Sequence, residues 1–339
     1  MRKGIITHSK PTISIAQFLY LSKLYFARHF ATGKPAAELG KNLCGFFNRQ
    51  HCAVVNSGTS ALHLLLKTLI TSTDDKILLS GYSCYDIANA VLLAGGKPIF
   101  LDVDEEGQLK RECIAKHIDN HVKAIIILHN FGHPCVIPNL DEFNIRIIED
   151  CTHSFKNYYE FSDVMVSLGA TKFVSGVECG VVLTSRDEVH QRIQGYLTTT
   201  GEIRYPYRES DFHAGIALMQ FKEINKYIKK RKAIAGFYYN KLSAVIDNSA
   251  LPNMNGDFLP YRFVIKLRNK DECDQILQFC RERGVRCERP VIPHKDAFKI
   301  DGVRKVYERF LSMPIYPSLS FGNQRRVMKI LIQYLAQHN

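Results

Sequence analysis

The sequence predicts an α/β protein with a large, mostly parallel sheet covered by helices on both faces, followed by a small α+β unit. Three observations carry this. Up to about residue 197, short aliphatic runs alternate with helical stretches. Those runs are apolar at successive positions rather than at every second one, which is the pattern of strands buried on both faces. At 339 residues and 46% hydrophobic content, the chain can bury a core of that size and reads as two domains.

In chain order, the strands are predicted at 52–56, 76–80, 97–102, 123–129, 146–150, 163–168 and 180–184. Helical stretches at 59–72, 84–95, 108–118 and 186–197 supply the crossovers. A long amphipathic helix, broken at most once, runs from Asp211 to about Ser243 and carries Ile216, Met219, Ile224, Ile228, Ile234, Tyr238 and Leu242 on its apolar side. Beyond it, an extended segment at 258–267, a helix at 271–285 and a last helix at 321–336 form the small unit. The predicted division is a large domain at 1–235 and a small one at 236–339.

Ligands of open α/β sheets sit beyond the carboxyl ends of the strands. The segment Asn-Ser-Gly-Thr-Ser-Ala-Leu-His (56–63) sets a glycine turn and hydroxyls where the first strand meets a helix. Unpaired N–H groups at a helix start hold an anion, Gly58 lets the backbone come close, and Thr59 and Ser60 add hydroxyl donors. By itself this is also an ordinary helix cap. Asp150 ends a strand whose interior is Ile147 and Ile148, with Glu149 directed to the opposite face. A carboxylate there can pair with a protonated heterocyclic nitrogen, as pyridoxal phosphate requires, or simply cap the next helix. His153 follows three residues on, within reach of the ring hydroxyl. Lys172 closes a turn of small residues after Ser167, where a lysine can form a Schiff base. Most loop lysines only meet solvent. Cradle, acid and lysine in that order, each after a strand, are jointly far more specific than any one of them.

Composition narrows the partners. The net charge of +12 admits phosphorylated cofactors, nucleotide-linked substrates, nucleic acid or an acidic membrane face, and charge alone does not choose among them. The densest basic run, 229–232, falls within the long helix and reads as a solvated face, so nucleic acid is not expected. No aliphatic run approaches the roughly 20 residues of a membrane span, and no signal-like segment opens the chain. Ten cysteines without a Cys-x-x-Cys pair or zinc-like spacing point to reduced thiols, a cytoplasmic location and no metal.

Taken together, 56–64, 88–104, 147–154, 167–172, 178–184, 205–211 and 312–319 resemble the DegT/DnrJ/EryC1/StrS sugar aminotransferases, pyridoxal phosphate enzymes of the type I aspartate aminotransferase fold. The resemblance spans nearly the whole chain. It implies that Lys172 carries the cofactor as an internal aldimine, Asp150 pairs with the pyridine nitrogen and His153 contacts the ring hydroxyl. Gly58, Thr59 and Ser167 are implied to bind the phosphate. It further implies a homodimer that takes an amino group from glutamate or glutamine and delivers it to a keto group of a nucleotide-linked sugar, for surface polysaccharide such as lipopolysaccharide or for a glycosylated metabolite. Four positions depart from the family pattern. Cys84 stands where an aromatic ring usually stacks on the cofactor, which shifts that role to Tyr85 or Tyr82 or leaves it unfilled; Pro206 replaces an asparagine lent across the dimer; Val177 and Cys179 replace glycines. A cyclitol or other non-nucleotide ketone as acceptor, or a non-catalytic partner subunit, are the alternatives. Arg204, Arg208, Arg286, Arg289 and His294 read first as plain surface residues, and the sequence does not decide whether any of them meets substrate phosphates.

Overall fold

The computed structural model describes residues 4–28, 30–31, 33–198 and 203–338, with the His338 side chain excepted. Seven strands, β1 (His51–Val55), β2 (Lys76–Ser80), β3 (Lys97–Leu101), β4 (Val122–Leu128), β5 (Arg146–Asp150), β6 (Asp163–Ser167) and β7 (Gly180–Thr184), form one sheet in the order β1-β7-β6-β5-β4-β2-β3. Each falls within a residue or two of its predicted span. Only β7 runs against its neighbours, pairing antiparallel with both β1 and β6. The β6–β7 connection contains no helix, and a parallel pair needs a crossover, so the short link turns the chain back on itself.

Both sheet faces are buried, as the continuous apolar runs require. In β4, Ala124, Ile126 and Leu128 join a core beneath α3 (Gly58–Lys67), α4 (Tyr85–Ala94) and α6 (Asp187–Leu197), while Ile125 and Ile127 join a core on the other face. That second face is also covered by α2 (Lys34–Phe47), through Leu39, Leu43 and Phe47, and by α7 (Asp211–Lys222), through Ala217 and Leu218. α5 (Arg111–Ala115) is shorter than the predicted stretch, and α3 ends at Lys67, before the predicted 72.

The first fifty residues carry two helices without a sequence-based expectation. α1 (Ile15–Phe26) starts in a capping box in which Ser14 Oγ accepts from Gln17 N–H and Gln17 Oε1 from Ser14 N–H. α2 begins at Lys34-Pro35 and stops at Asn48, whose left-handed backbone (φ 50°) ends the helix.

The predicted long helix is broken once, at Glu223, into α7 and α8 (Ile224–Leu242). In the basic run of α8, Lys229, Lys230 and Lys232 are exposed, but Arg231 is buried. α8 leads into a second core built on a two-stranded sheet of β8 (Phe263–Lys266) and β9 (Phe310–Met313) with α9 (Lys270–Glu282) and α11 (Phe321–His338); α10 (Asp301–Arg309) precedes β9. Ile6, from the start of the chain, is part of this core and pairs in parallel with Val285. Among the described residues, no helix is long and apolar enough to cross a membrane.

Candidate active site

The register of the sheet decides which loops meet. Asp150 at the end of β5 pairs with Leu128 and Met165, and Ser167 at the end of β6 pairs with Gly180 at the start of β7. Val55, ending β1, also pairs with Gly180. The carboxyl ends of four strands therefore converge with the β6–β7 turn at one edge, and a cavity of about 540 Å³ opens there. Lys172, Gly58, Thr59, Asp150, His153, Ser167 and Tyr85 all line it. A more open groove of about 680 Å³ beside the amino ends of β4 and β5 contains none of them.

On one wall lies the start of α3. Ser57 Oγ accepts from Ser60 N–H at 3.0 Å and Ser57 O from Ala61 N–H, leaving the Gly58 and Thr59 amides at the open end of the helix. Gly58 packs so tightly that an added Cβ would stand 2.6 Å from Ser167 Cβ, and one at Gly180 would stand 2.1 Å from Ser57 O. Glycine is required at both positions by this approach of helix, β6 and β7. The result is a nest of amides and hydroxyls at a helix start, a group of donors that can hold an anion.

Opposite, Asp150 is half-buried, and its Oδ1 accepts from Thr152 N–H at 2.9 Å. Thr152 Oγ1 in turn accepts from Ser167 N–H at 2.9 Å, so one hydrogen-bond chain fixes the acid relative to the phosphate nest. His153 stacks on Tyr261, with ring centroids 4.1 Å apart and planes at 17°. Its pKa is pushed well below the ordinary value, first by burial and then by Lys172, Arg262 and Arg231, so the imidazole is neutral. The Lys172 Nζ lies 5.7 Å from the centre of the same Tyr261 ring. Burial would raise the Tyr261 phenol, but Lys172, Arg262 and Arg231, with a hydrogen bond from the Thr171 side chain, bring it below its usual value.

Tyr85, 47% exposed, stands at the cavity wall beside Cys84. Tyr82, the other candidate for ring stacking, is fully buried away from the cavity, edge-on to Phe131 and Phe310. Val177 adopts φ 71°, the left-handed region that favours glycine, in the turn between Lys172 and β7. Pro206 is exposed, and its carbonyl accepts from Asn56 Nδ2 at 3.3 Å. Of the arginines considered from the sequence, Arg289 reaches the cavity, with Nη1 donating to Tyr307 O and Glu308 O and Nη2 to Asp274 Oδ1.

Glu149 faces the opposite way and is wholly buried. It accepts from His129 Nε2 at 2.9 Å, Tyr158 N–H at 2.7 Å, Tyr159 N–H at 3.1 Å and the Ser162 hydroxyl. His129 Nδ1 accepts from Cys135 N–H, so His129, Glu149 and Cys151, although close together, have their metal-binding lone pairs occupied by protein donors at the histidine and the carboxylate.

Several cavity residues escaped the sequence reading. Tyr261, which packs against His153, and Arg262 on the cavity wall enter just before β8, and Glu288, Val291 and Ile292 come from the connection after α9. The aromatic-basic pair Tyr261-Arg262 at the head of a predicted strand is the one local signal that could have marked them.

The family model described as the DegT/DnrJ/EryC1/StrS aminotransferase family matches residues 15–332. Among solved structures, the chain is similar to PseC of Helicobacter pylori, described as an aminotransferase involved in the biosynthesis of pseudoaminic acid, at 18% identity and a TM-score of 0.89, covering 98% of this chain and 100% of that one. The aminotransferase TlmJ of Streptoalloteichus hindustanus gives 19% identity and a TM-score of 0.90 over 99% and 100% of the two chains. NtdA of Bacillus subtilis, described with its bound cofactor PMP, gives 19% and 0.85 over 96% and 83%. At these identities the likeness establishes the fold.

Proposed function

The chain belongs to the DegT/DnrJ/EryC1/StrS aminotransferase family, whose members depend on pyridoxal phosphate, and we propose that it transfers an amino group from glutamate to a keto group of a nucleotide-linked sugar, with Lys172 as the residue that holds the cofactor covalently. The observation that carries this is the convergence of Gly58, Asp150 and Lys172 on one cavity. The residues fit the cofactor: the cradle at Gly58 and Ser167 is one that an added Cβ would fill, and Asp150 keeps Oδ2 free of Thr152 for a ring nitrogen.

When bound, pyridoxal phosphate supplies an electron sink that stabilises negative charge at the substrate carbon. In this reading the Gly58 and Thr59 amides and the Ser167 hydroxyl grip the phosphate. Asp150, fixed by Thr152, holds the proton on the ring nitrogen. Neutral His153, kept in place by Tyr261, meets the ring hydroxyl without adding a competing charge. Lys172 Nζ would take the proton from the donor carbon and later deliver one to the acceptor carbon. Tyr85 stands where it can lie against the ring in place of Cys84.

The description of the Helicobacter pylori neighbour as an enzyme of pseudoaminic acid biosynthesis supports a sugar acceptor. The proposed role extends to surface polysaccharide such as lipopolysaccharide or a glycosylated metabolite, made in the cytoplasm. A homodimer is supported by the outer face of α1, where Ile15, Phe18, Leu19 and Phe26 are each more than half exposed, a patch that a second copy would cover.

The test is an absorbance spectrum of the purified protein with pyridoxal phosphate, before and after glutamate, alongside Lys172→Ala. A visible band that glutamate converts to the pyridoxamine form, and that is missing from Lys172→Ala, is the expected result. Absence of a band in the wild type with excess cofactor would overturn the enzyme reading in favour of a binding subunit.

A further inference from the structure

A second set of side chains gathers at the opposite edge of the sheet, where the amino ends of β4 and β5 meet the end of β7 and the loop before β6 around the groove of about 680 Å³. Lys123, Arg146 and Arg186 lie on its lining, against Asp141 and Glu160. The two guanidiniums are poorly satisfied. Arg146 reaches Asp163 at 3.6 Å and Glu188 at 3.9 Å, both longer than a hydrogen bond. Arg186 Nη2 donates to Phe161 O at 2.9 Å, but its Nε, 3.8 Å from Asp163 Oδ1, is buried and, among the described residues, has no hydrogen-bond partner. Both arginines thus lean on one wholly buried carboxylate, whose Oδ1 already accepts from the Thr184 hydroxyl at 2.6 Å. A buried donor left unpaired is costly unless a ligand completes it.

Beside these cations the groove is aromatic. Phe161 is 76% exposed, and the carbonyl that Arg186 holds is its own, so ring and guanidinium are tied to one place. Tyr159 forms another part of the wall, fixed by Ile137 N–H, which donates to its Oη at 2.7 Å. Asn139 and Asn144 add side-chain amides to the lining. We propose that this groove binds a mononucleotide, its phosphate on Arg146 and Arg186 and its base against Phe161. The planar fork of a guanidinium matches phosphate oxygens two at a time. A bare anion has no use for the exposed ring, whereas a base offers a flat face to stack on it and an edge of donors and acceptors for the asparagine amides. The volume lies in the usual range for a small-molecule site. The Lys172 cavity opens at the carboxyl ends of the strands, so a nucleotide held here leaves it open, and the inference does not depend on the aminotransferase reading.

The protein, loaded with pyridoxal phosphate and freed of the excess, is titrated calorimetrically with AMP and UMP, and with inorganic phosphate and adenosine as controls, alongside Arg146→Gln and Phe161→Ser. The expected result is that at least one nucleotide binds the wild type more tightly than either control. Arg146→Gln is expected to weaken that binding about 30-fold, the worth of a charge-assisted hydrogen bond, and Phe161→Ser about tenfold, the worth of a stacked base. Phe161→Ser removes an exposed ring, so it is expected to keep the wild-type melting temperature and cofactor spectrum, and it decides the matter alone if Arg146→Gln does not fold. No binding of either nucleotide by the wild type at millimolar concentration overturns the proposal. So does nucleotide binding that Phe161→Ser leaves unchanged, which would place the nucleotide elsewhere on the protein. Phosphate bound as tightly as the nucleotides would reduce the groove to an anion site and overturn it as well.

Discussion

At Val177, removing the side chain entirely is expected to be better for stability than trimming it. Val177 holds φ 71° in the turn between Lys172 and β7. For an L-residue that conformation costs roughly 1–2 kcal/mol, because Cβ crowds the following carbonyl oxygen, and a β-branched residue is among the least suited to it. The side chain is 43% exposed, so trimming it forfeits about 1 kcal/mol of burial. Val177→Ala loses that burial and keeps Cβ, and with it the strain. Val177→Gly loses the same burial but sheds the strain, against about 0.5–1 kcal/mol of extra unfolded-chain entropy. The glycine variant is therefore expected to exceed the alanine variant by about 0.5–1 kcal/mol, or about 2 °C in melting temperature. At an ordinary backbone position glycine is the worse of the two by a similar amount. Thermal unfolding of the two variants side by side reads the order directly. If Val177→Ala melts above Val177→Gly, the turn does not hold a left-handed residue and the reasoning is wrong.

Gly58→Ala puts a Cβ 2.6 Å from Ser167 Cβ, and pushing α3 and β6 apart is expected to cost about 1–3 kcal/mol and to weaken pyridoxal phosphate binding about tenfold or more, read by absorbance titration. Gly236→Ala in α8, whose Cβ would meet nothing within 4 Å, is expected to gain about 0.5–1 kcal/mol in the same unfolding assay. In Glu149→Gln, whichever oxygen becomes an amino group faces two donors, either His129 with Tyr158 N–H or Tyr159 N–H with Ser162, and the loss on chemical denaturation should reach about 3 kcal/mol. The exposed Glu178→Gln should stay within about 0.5 kcal/mol. Burial, and then Lys266, push His133 down to about 4, below the unfolded value of 6.5. The stability this neutral ring contributes is whole above 6.5 and lost as pH falls toward 4. His133→Gln is expected to flatten that limb by about 2 kcal/mol, allowing for the ring's partial exposure, in unfolding measured from pH 7 to 4.

The sheet was legible because its strands are continuous aliphatic runs between turn residues, a signal contained in five to seven consecutive positions. β4, with Ala124 to Leu128, is the clearest case. The turn at Gly58 was legible for a related reason: glycine and hydroxyls between an apolar strand and an apolar helix are a local pattern that marks a helix start, and Ser57 does cap α3 there. α1 and α2 were not legible. The capping box of Ser14 and Gln17 was present to be read, but α1 exposes Ile15, Phe18, Leu19 and Phe26 and buries only Gln17 and Leu24, so its pattern is not that of a helix laid on a core. Within 229–232, charge hid the difference between Arg231 and its neighbours. Its guanidinium turns inward to Tyr261 O at 2.8 Å and Ile315 O at 3.0 Å, and nothing in the run distinguishes it from the lysines beside it.

By itself, the sequence determined the α/β class, the order of the strands along the chain and the strand-end residues that line the cavity, because each rests on burial and backbone geometry within a few residues. The tertiary structure alone decided that β7 runs against the sheet and brings Gly180 onto Ser57, that Ile6 closes the distant C-terminal core, and that Tyr261 backs His153. It alone decided that Arg262 faces the cavity of Lys172. These are contacts between segments far apart in the chain, set by which surfaces fit when helices and strands pack, and no local run of residues records them.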